Sequence, residues 1–151
     1  MLSELKKEMQ AMRNPEKAKL LSGFFKTGKG EYGEGDVFLG IMVPKQRIIA
    51  KKYKSLSIDE VQELLLSEVH EHRLVALLIL IFKYNSSDED GKEDIFNFYL
   101  KNAKRINNWD LVDLSSHRIV GNYLLGKKRN ILYKLAKSSN LWERRISIIS
   151  T

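Results

Sequence analysis

Cysteine is absent from this 151-residue sequence, which removes disulfides, thiolate metal sites and cysteine nucleophiles together. Proline occurs only twice, so few positions force the chain out of a helix. The longest apolar run, Leu74 to Phe82, is far shorter than the roughly 20 residues a membrane-crossing helix needs. The N-terminal stretch MLSELKKEMQAMRN is charged and lacks the apolar centre of a secretion signal. A cytoplasmic protein with no membrane partner is the expectation. Period-two alternation is also missing, apart from Asp36 to Val43 (DVFLGIMV), which reads as one short extended segment. HExxH, HxxxH, GxSxG and Gly-Lys-Ser/Thr do not occur. His70 and His72 splay apart on a helix and His117 has no second ligand, so no metal site and no cofactor are expected. Ser115 and Ser116 precede His117, but helical neighbours cannot adopt a triad geometry.

What the chain does have is positive charge: 26 Lys+Arg against 19 Asp+Glu, a formal net charge of +7. Such a balance points to a polyanionic partner. The length suits one domain, residues 1–151, able to bury a real core. Five of the nine glycines fall between Lys26 and Gly40, marking one long loop. Its glycines resemble a phosphate-cradling loop only loosely, because no strand precedes them and no helix-opening lysine follows.

The rest reads as helices. Ser3 caps a helix over Glu4 to Met12; Asn14 and Pro15 start a second that runs to about Phe25. Pro44 opens a third, and Ser57 with Glu60 forms a capping box for a fourth. Glu68 to Tyr84 is the most apolar helix and the expected core spine. A polar loop over Asn85 to Gly91 leads to a helix with Ile95, Phe98 and Tyr99 on one face. Further helices cover RNILYKLAKS and LWERRISIIS. The class is all-α.

Internal similarity narrows the class. HEHRLVAL at His70 to Leu77 aligns with WERRISII at Trp142 to Ile149, 72 residues later, so that Arg73 falls on Arg145. Arg47 in PKQRIIA fits the same phase. The spacing is about two units of an α-solenoid whose helix pairs repeat at roughly 30 to 47 residues. Equivalent positions in such a stack line one curved face, so Arg47, Arg73 and Arg145 are expected to form a stripe. With Lys104, Arg105 and neighbouring lysines they would give a concave basic surface that tracks phosphates. Chance similarity between amphipathic helices that each carry an arginine is the competing explanation.

One stretch holds the candidate chemistry. In NNWDLVDLSSHRIVGNYLL, Asn107 to Leu125, Trp109 and Asp113 are four residues apart and share a helical face, with Asp110 slightly to the side. A carboxylate beside an indole suits stabilisation of a developing cation or orientation of an attacking water. The plainer alternative is an aspartate capping a helix start, with Trp109 in the core.

This stretch closely resembles the signature of the AlkD-type DNA alkylation repair glycosylases. Ser22 to Arg47 resembles that family's glycine-rich segment leading into its third helix, and NLWERRISIIST resembles its Trp-Glu-Arg-Arg helix, so the resemblance covers nearly the whole chain. It implies a HEAT-like helical-repeat α-solenoid that holds duplex DNA and removes N3- or N7-alkylated purines by cleaving the N-glycosidic bond, without a metal. Asp113 would be the catalytic carboxylate, Trp109 an aromatic packing on the deoxyribose, and Arg145 the arginine contacting the backbone beside the lesion. Family members continue beyond the Trp-Glu-Arg-Arg helix, so the chain is expected to lack C-terminal repeats. A catalytically silent module binding nucleic acid or protein is the alternative, and a monomer is the default.

Overall fold

The computed structural model describes residues 1–151 and is helical almost throughout, as the sequence pattern predicts. Two compact units are distinguished, Met1–Leu80 and Ile81–Thr151. No helix is long and apolar enough to cross a membrane.

The first unit contains α1 (Leu2–Ala11), α2 (Pro15–Phe24), α3 (Val43–Lys52), α4 (Ile58–Leu65) and the opening of α5 (His70–Ser86). Local chemistry accounts for most of the starts. The Asn14 side chain accepts from the Lys17 N–H with Pro15 behind it, and Ser57 and Glu60 close their capping box in both directions. Ser3 does not cap α1, which begins one residue earlier, at Leu2. Glu60 overrides that expectation by taking the Leu2 N–H at 3.3 Å, a partner 58 residues away that satisfies one of the four orphan donors of a helix start. Glu8 receives both Lys52 Nζ at 2.6 Å and the Tyr53 hydroxyl at 2.8 Å. Leu5, Met9, Ile49, Leu56, Val61, Leu64 and Leu65 are wholly buried.

The glycine-rich segment is held by α5. Glu71, 1 % exposed, accepts the backbone N–H groups of Leu39 at 3.0 Å and Gly40 at 2.8 Å, with Ile41 at the longer distance of 3.4 Å. Gly40 has φ +84°, and a Cβ there would lie 2.2 Å from the Asn14 carbonyl oxygen, so only glycine lets this segment press against the start of α2. The extended segment expected around Asp36 to Val43 amounts to a single parallel bridge between Val37 and Val69. Its two hydrogen bonds run from Val37 N to Glu68 O and from His70 N to Val37 O, at 3.0 and 2.8 Å.

The second unit contains α6 (Glu89–Lys101), a 3₁₀ turn at Ala103–Arg105, α7 (Trp109–Ser116), a π turn at His117–Gly121, α8 (Asn130–Ala136) and α9 (Leu141–Ile149). Asp88 caps α6 through the Gly91 N–H, so the polar loop is shorter than the sequence suggests. The buried face of α6 is Ile95, Phe96 and Tyr99; Phe98, expected there, is only half-buried, while Phe96 lies against Tyr123 with ring centroids 4.4 Å apart. Helix α9 packs on both α7 and α8. Small hydroxyls stitch these helices together. Ser116 Oγ reaches the Ile146 carbonyl at 3.2 Å and also pairs with Ser150 Oγ, while Ser147 Oγ donates to the Leu132 carbonyl at 2.7 Å.

The internal repeat is real, but its phase is one residue off the sequence alignment. Ser67 Oγ accepts the N–H two residues on, at Val69, and its carbonyl accepts Arg73 Nη1 at 2.8 Å. Ser138 does the same with Asn140 N and with Arg144 Nη1, also at 2.8 Å. Helices α5 and α9 each begin three residues after that serine. The equivalent of Arg73 is therefore Arg144, 71 residues on, and not Arg145. Helical side chains lean toward the N-terminus, so a long donor at the fourth position reaches back to a carbonyl ahead of the helix. At the fourth position of α3, Gln46 does so too, donating Nε2 to Ile41 O at 2.7 Å.

Candidate nucleic-acid interface and active site

The candidate site is built on α7 and α9. Asn108 caps α7, its Oδ1 accepting the Trp109 N–H at 2.8 Å, and Asp110 Oδ1 receives the Leu111 N–H at 2.8 Å. Local capping at this helix start thus falls to Asn108 and Asp110. Asp113, one turn further along, is left to act elsewhere. Trp109 and Asp113 are both half-buried. Beneath α7, the buried Tyr99 hydroxyl meets Ser115 Oγ at 2.8 Å, and Ser115 also bonds to the Leu111 carbonyl. Burial drives the Tyr99 phenol well above its ordinary pKa, against the smaller opposing effect of the neighbouring Ser115 and Ser116 hydroxyls, and with the Ser115 proton committed to Leu111 the phenol is the donor in a structural contact.

Asp113 engages Arg145. The guanidinium donates Nε to Oδ1 and Nη2 to Oδ2, both at 2.7 Å, the two-pronged geometry favoured between arginine and carboxylate. The side chains of Arg145 and Asp113 remain 39 % and 36 % exposed. The hydrogen bonds to Asp113 raise the pKa of Arg145 further, so its charge is permanent. Asp113 and Arg145 are the fifth residues of α7 and α9, and because those helices pack against each other, like positions come face to face.

The arginine stripe needs correcting. Arg73 is 0 % exposed, held by Asp36 Oδ2 at 2.7 Å and by the Ser67 carbonyl, and cannot present its charge to a ligand. The sequence motif misplaced it because Arg144-Arg145 offers two alignable arginines, each with a serine six residues earlier, Ser138 and Ser139, and only the bond from Arg144 Nη1 to the Ser138 carbonyl tells them apart. Arg47, exposed on α3, is the fifth residue of its helix and so shares the position of Arg145, not that of Arg73. Lys104 is exposed and Arg105 half-buried on the 3₁₀ turn ahead of α7.

The histidines are occupied otherwise. His70 packs against both Phe25 and Phe38 in a cluster of three rings, with centroids 5.0 and 4.6 Å away and the two phenylalanines 5.3 Å from each other, and its Nδ1 lies 3.7 Å from Asp36 Oδ2. His72 Nδ1 is 2.9 Å from Ser67 Oγ. Exposed His117 sits in the π turn, while Ser116 is turned to Ser150, so no Ser–His pair forms. Asp36 and Glu71 are the residues that sequence reading missed. The only signal was an acidic residue in the first turn of the most apolar helix.

The fold and site define a basic helical-repeat protein that sets an indole, a carboxylate and an arginine on adjoining helices. Membership is specific: the chain belongs to the DNA alkylation repair enzyme family, whose model matches residues 5–151. A role in DNA repair follows, with DNA as the partner. No curated protein and no solved structure matches the chain significantly.

Proposed function

We propose that the chain is a DNA glycosylase that removes N3- and N7-alkylated purines from duplex DNA, acting as a monomer. The observation that carries this reading is Asp113, a half-exposed carboxylate one turn from Trp109 and joined to Arg145, in a member of the DNA alkylation repair enzyme family.

The chemistry asks little of the protein beyond one well-placed anion. An alkylated purine is already cationic, so the C1′–N bond breaks with its electron pair moving to the purine, which leaves neutral without a proton from an acid. The positive charge passes to the sugar as an oxocarbenium-like centre. A carboxylate fixed beside that centre lowers its energy and orients the water that attacks C1′, taking up the proton released. Asp113 fills that role, Trp109 supplies a flat apolar wall for the deoxyribose, and Arg145 pairs with a backbone phosphate. Lys104, Arg105 and Arg47 are further candidates for phosphate contacts.

The test is release of 7-methylguanine and 3-methyladenine from methylated duplex DNA. Asp113→Asn should lower excision by roughly 100-fold or more without weakening duplex binding. Unchanged excision in that variant would overturn the assignment. A second reading, a silent DNA-binding module, is favoured by the closed Asp113–Arg145 pair, because a carboxylate tied to a guanidinium has much of its field cancelled. No excision of either base by the unaltered chain, with salt-sensitive duplex binding retained, would decide for it.

A further inference from the structure

We propose that the Asp113–Arg145 pair is a latch that DNA itself opens: a backbone phosphate takes Arg145, and only then does Asp113 face the sugar as a free anion. Arg145 is on this view a positioning residue as well as a phosphate contact. The inference rests on the reading of Asp113 as the carboxylate that acts at the sugar.

The closed pair satisfies both carboxylate oxygens with one guanidinium at 2.7 Å. In that state the two charges form a short dipole, whose field at a neighbouring sugar falls off much faster than that of a lone carboxylate. Stabilising an oxocarbenium-like centre needs the lone charge. A phosphodiester offers Arg145 the same thing the carboxylate does, two anionic oxygens in a plane for two parallel N–H bonds. The exchange therefore leaves the guanidinium as well bonded as before. What changes is the charge state presented by Asp113.

The surroundings suit an exchange of side chains without movement of helices. Both partners are more than a third exposed, so a phosphate reaches the guanidinium from solvent. The backbones beneath them are tied by Ser116, whose hydroxyl bonds to the carbonyl of Ile146, the residue next to Arg145, and to Ser150. Opening then requires only rotamer changes, which are fast for exposed side chains. The buried Arg73–Asp36 pair in the first unit is the instructive contrast. At 1 % and 6 % side-chain exposure it has no route to an incoming anion and stays a structural tie.

The test is a double-mutant cycle read on binding of a short unmodified duplex, which needs no excision. If carboxylate and phosphate compete for Arg145, Asp113→Asn removes the competitor and tightens binding by about two- to fivefold, the range set by an exposed ion pair. In an Arg145→Ala background the same substitution should tighten binding less, because no guanidinium is left to release. Plain repulsion between Asp113 and DNA predicts the reverse order, an equal or larger gain when Arg145 is absent, and that result would overturn the latch. So would weaker binding by Asp113→Asn. The unaltered protein gives an independent readout: the Arg145 Nε–Hε resonance should move on addition of the duplex, and a stationary signal at saturating duplex also refutes the exchange. Failure of the glycosylase reading is seen separately, as absent base release from methylated duplex.

Discussion

Replacing Glu71 tests whether one buried carboxylate holds the glycine-rich segment to the helical body. Its side chain accepts the Leu39 and Gly40 N–H groups at 3.0 and 2.8 Å and a longer bond from Ile41, and it sits in the first turn of α5, where the helix dipole favours negative charge. Glu71→Ala removes the acceptor and leaves two well-made backbone donors buried. At about 1–3 kcal/mol for each unsatisfied group, the loss is about 4 kcal/mol. Glu71→Gln keeps one carbonyl oxygen at the Oε1 position, where Leu39, Gly40 and Ile41 all donate, but sets its NH₂ against the Leu39 N–H that also faces Oε2, so about half that loss is expected. For a chain of this size each kcal/mol moves Tm by about 2–4 °C. The alanine variant should therefore melt about 8–16 °C lower and the glutamine variant about 4–8 °C lower. Urea unfolding at constant m would measure the free energies, and amide exchange at Leu39 and Gly40 should quicken in the alanine variant. A loss below about 1 kcal/mol for Glu71→Ala, or a glutamine variant weaker than the alanine one, would refute the reasoning.

Two further outcomes follow from the buried arginine and from His72. Arg73→Met strands the Asp36 carboxylate in the interior and should cost about 3–5 kcal/mol, whereas Arg144→Met, at the equivalent but half-buried position, should cost only about 1 kcal/mol; equal losses in urea unfolding would contradict the 71-residue phase. Burial, aided by the charges of Lys6 and Arg73, lowers the His72 pKa from 6.5 to about 4. Between those values the unfolded chain binds the proton and the folded one does not, so stability is full above about pH 6.5 and falls as pH drops toward about 4, by up to about 3 kcal/mol. His72→Gln should flatten that part of the stability profile, and a profile identical to that of the unaltered chain would show that His72 does not titrate in this way.

How much was legible in the sequence varied with the distance over which each feature is decided. Asn14 with Pro15, and Ser57 with Glu60, act within three residues of themselves, and the helix starts they predict are present. Ser3 obeys the same local rule and fails, because Glu60 arrives from another helix to take the Leu2 N–H. Phe98 and Phe96 are equally apolar, and which of them turns inward depends on where Tyr123 stands. The candidate site shows the same division: the four-residue spacing that puts Trp109 and Asp113 on one face is a property of any helix, but the partner of Asp113 lies 32 residues away.

By itself, then, the sequence determined the helical class, the repeat, most helix starts and the Trp109–Asp113 face, since all of these rest on spacing and on side chains bonding to their own backbone. Only the tertiary structure decided that Arg73 is interior and Arg145 is not, that Glu71 clasps the glycine segment, and that Asp113 closes on Arg145. An arginine carries the same charge in either place. Whether that charge meets a buried carboxylate or an arriving phosphate depends on which groups the packed helices bring beside it and on whether water, and hence a phosphate, has a path to it.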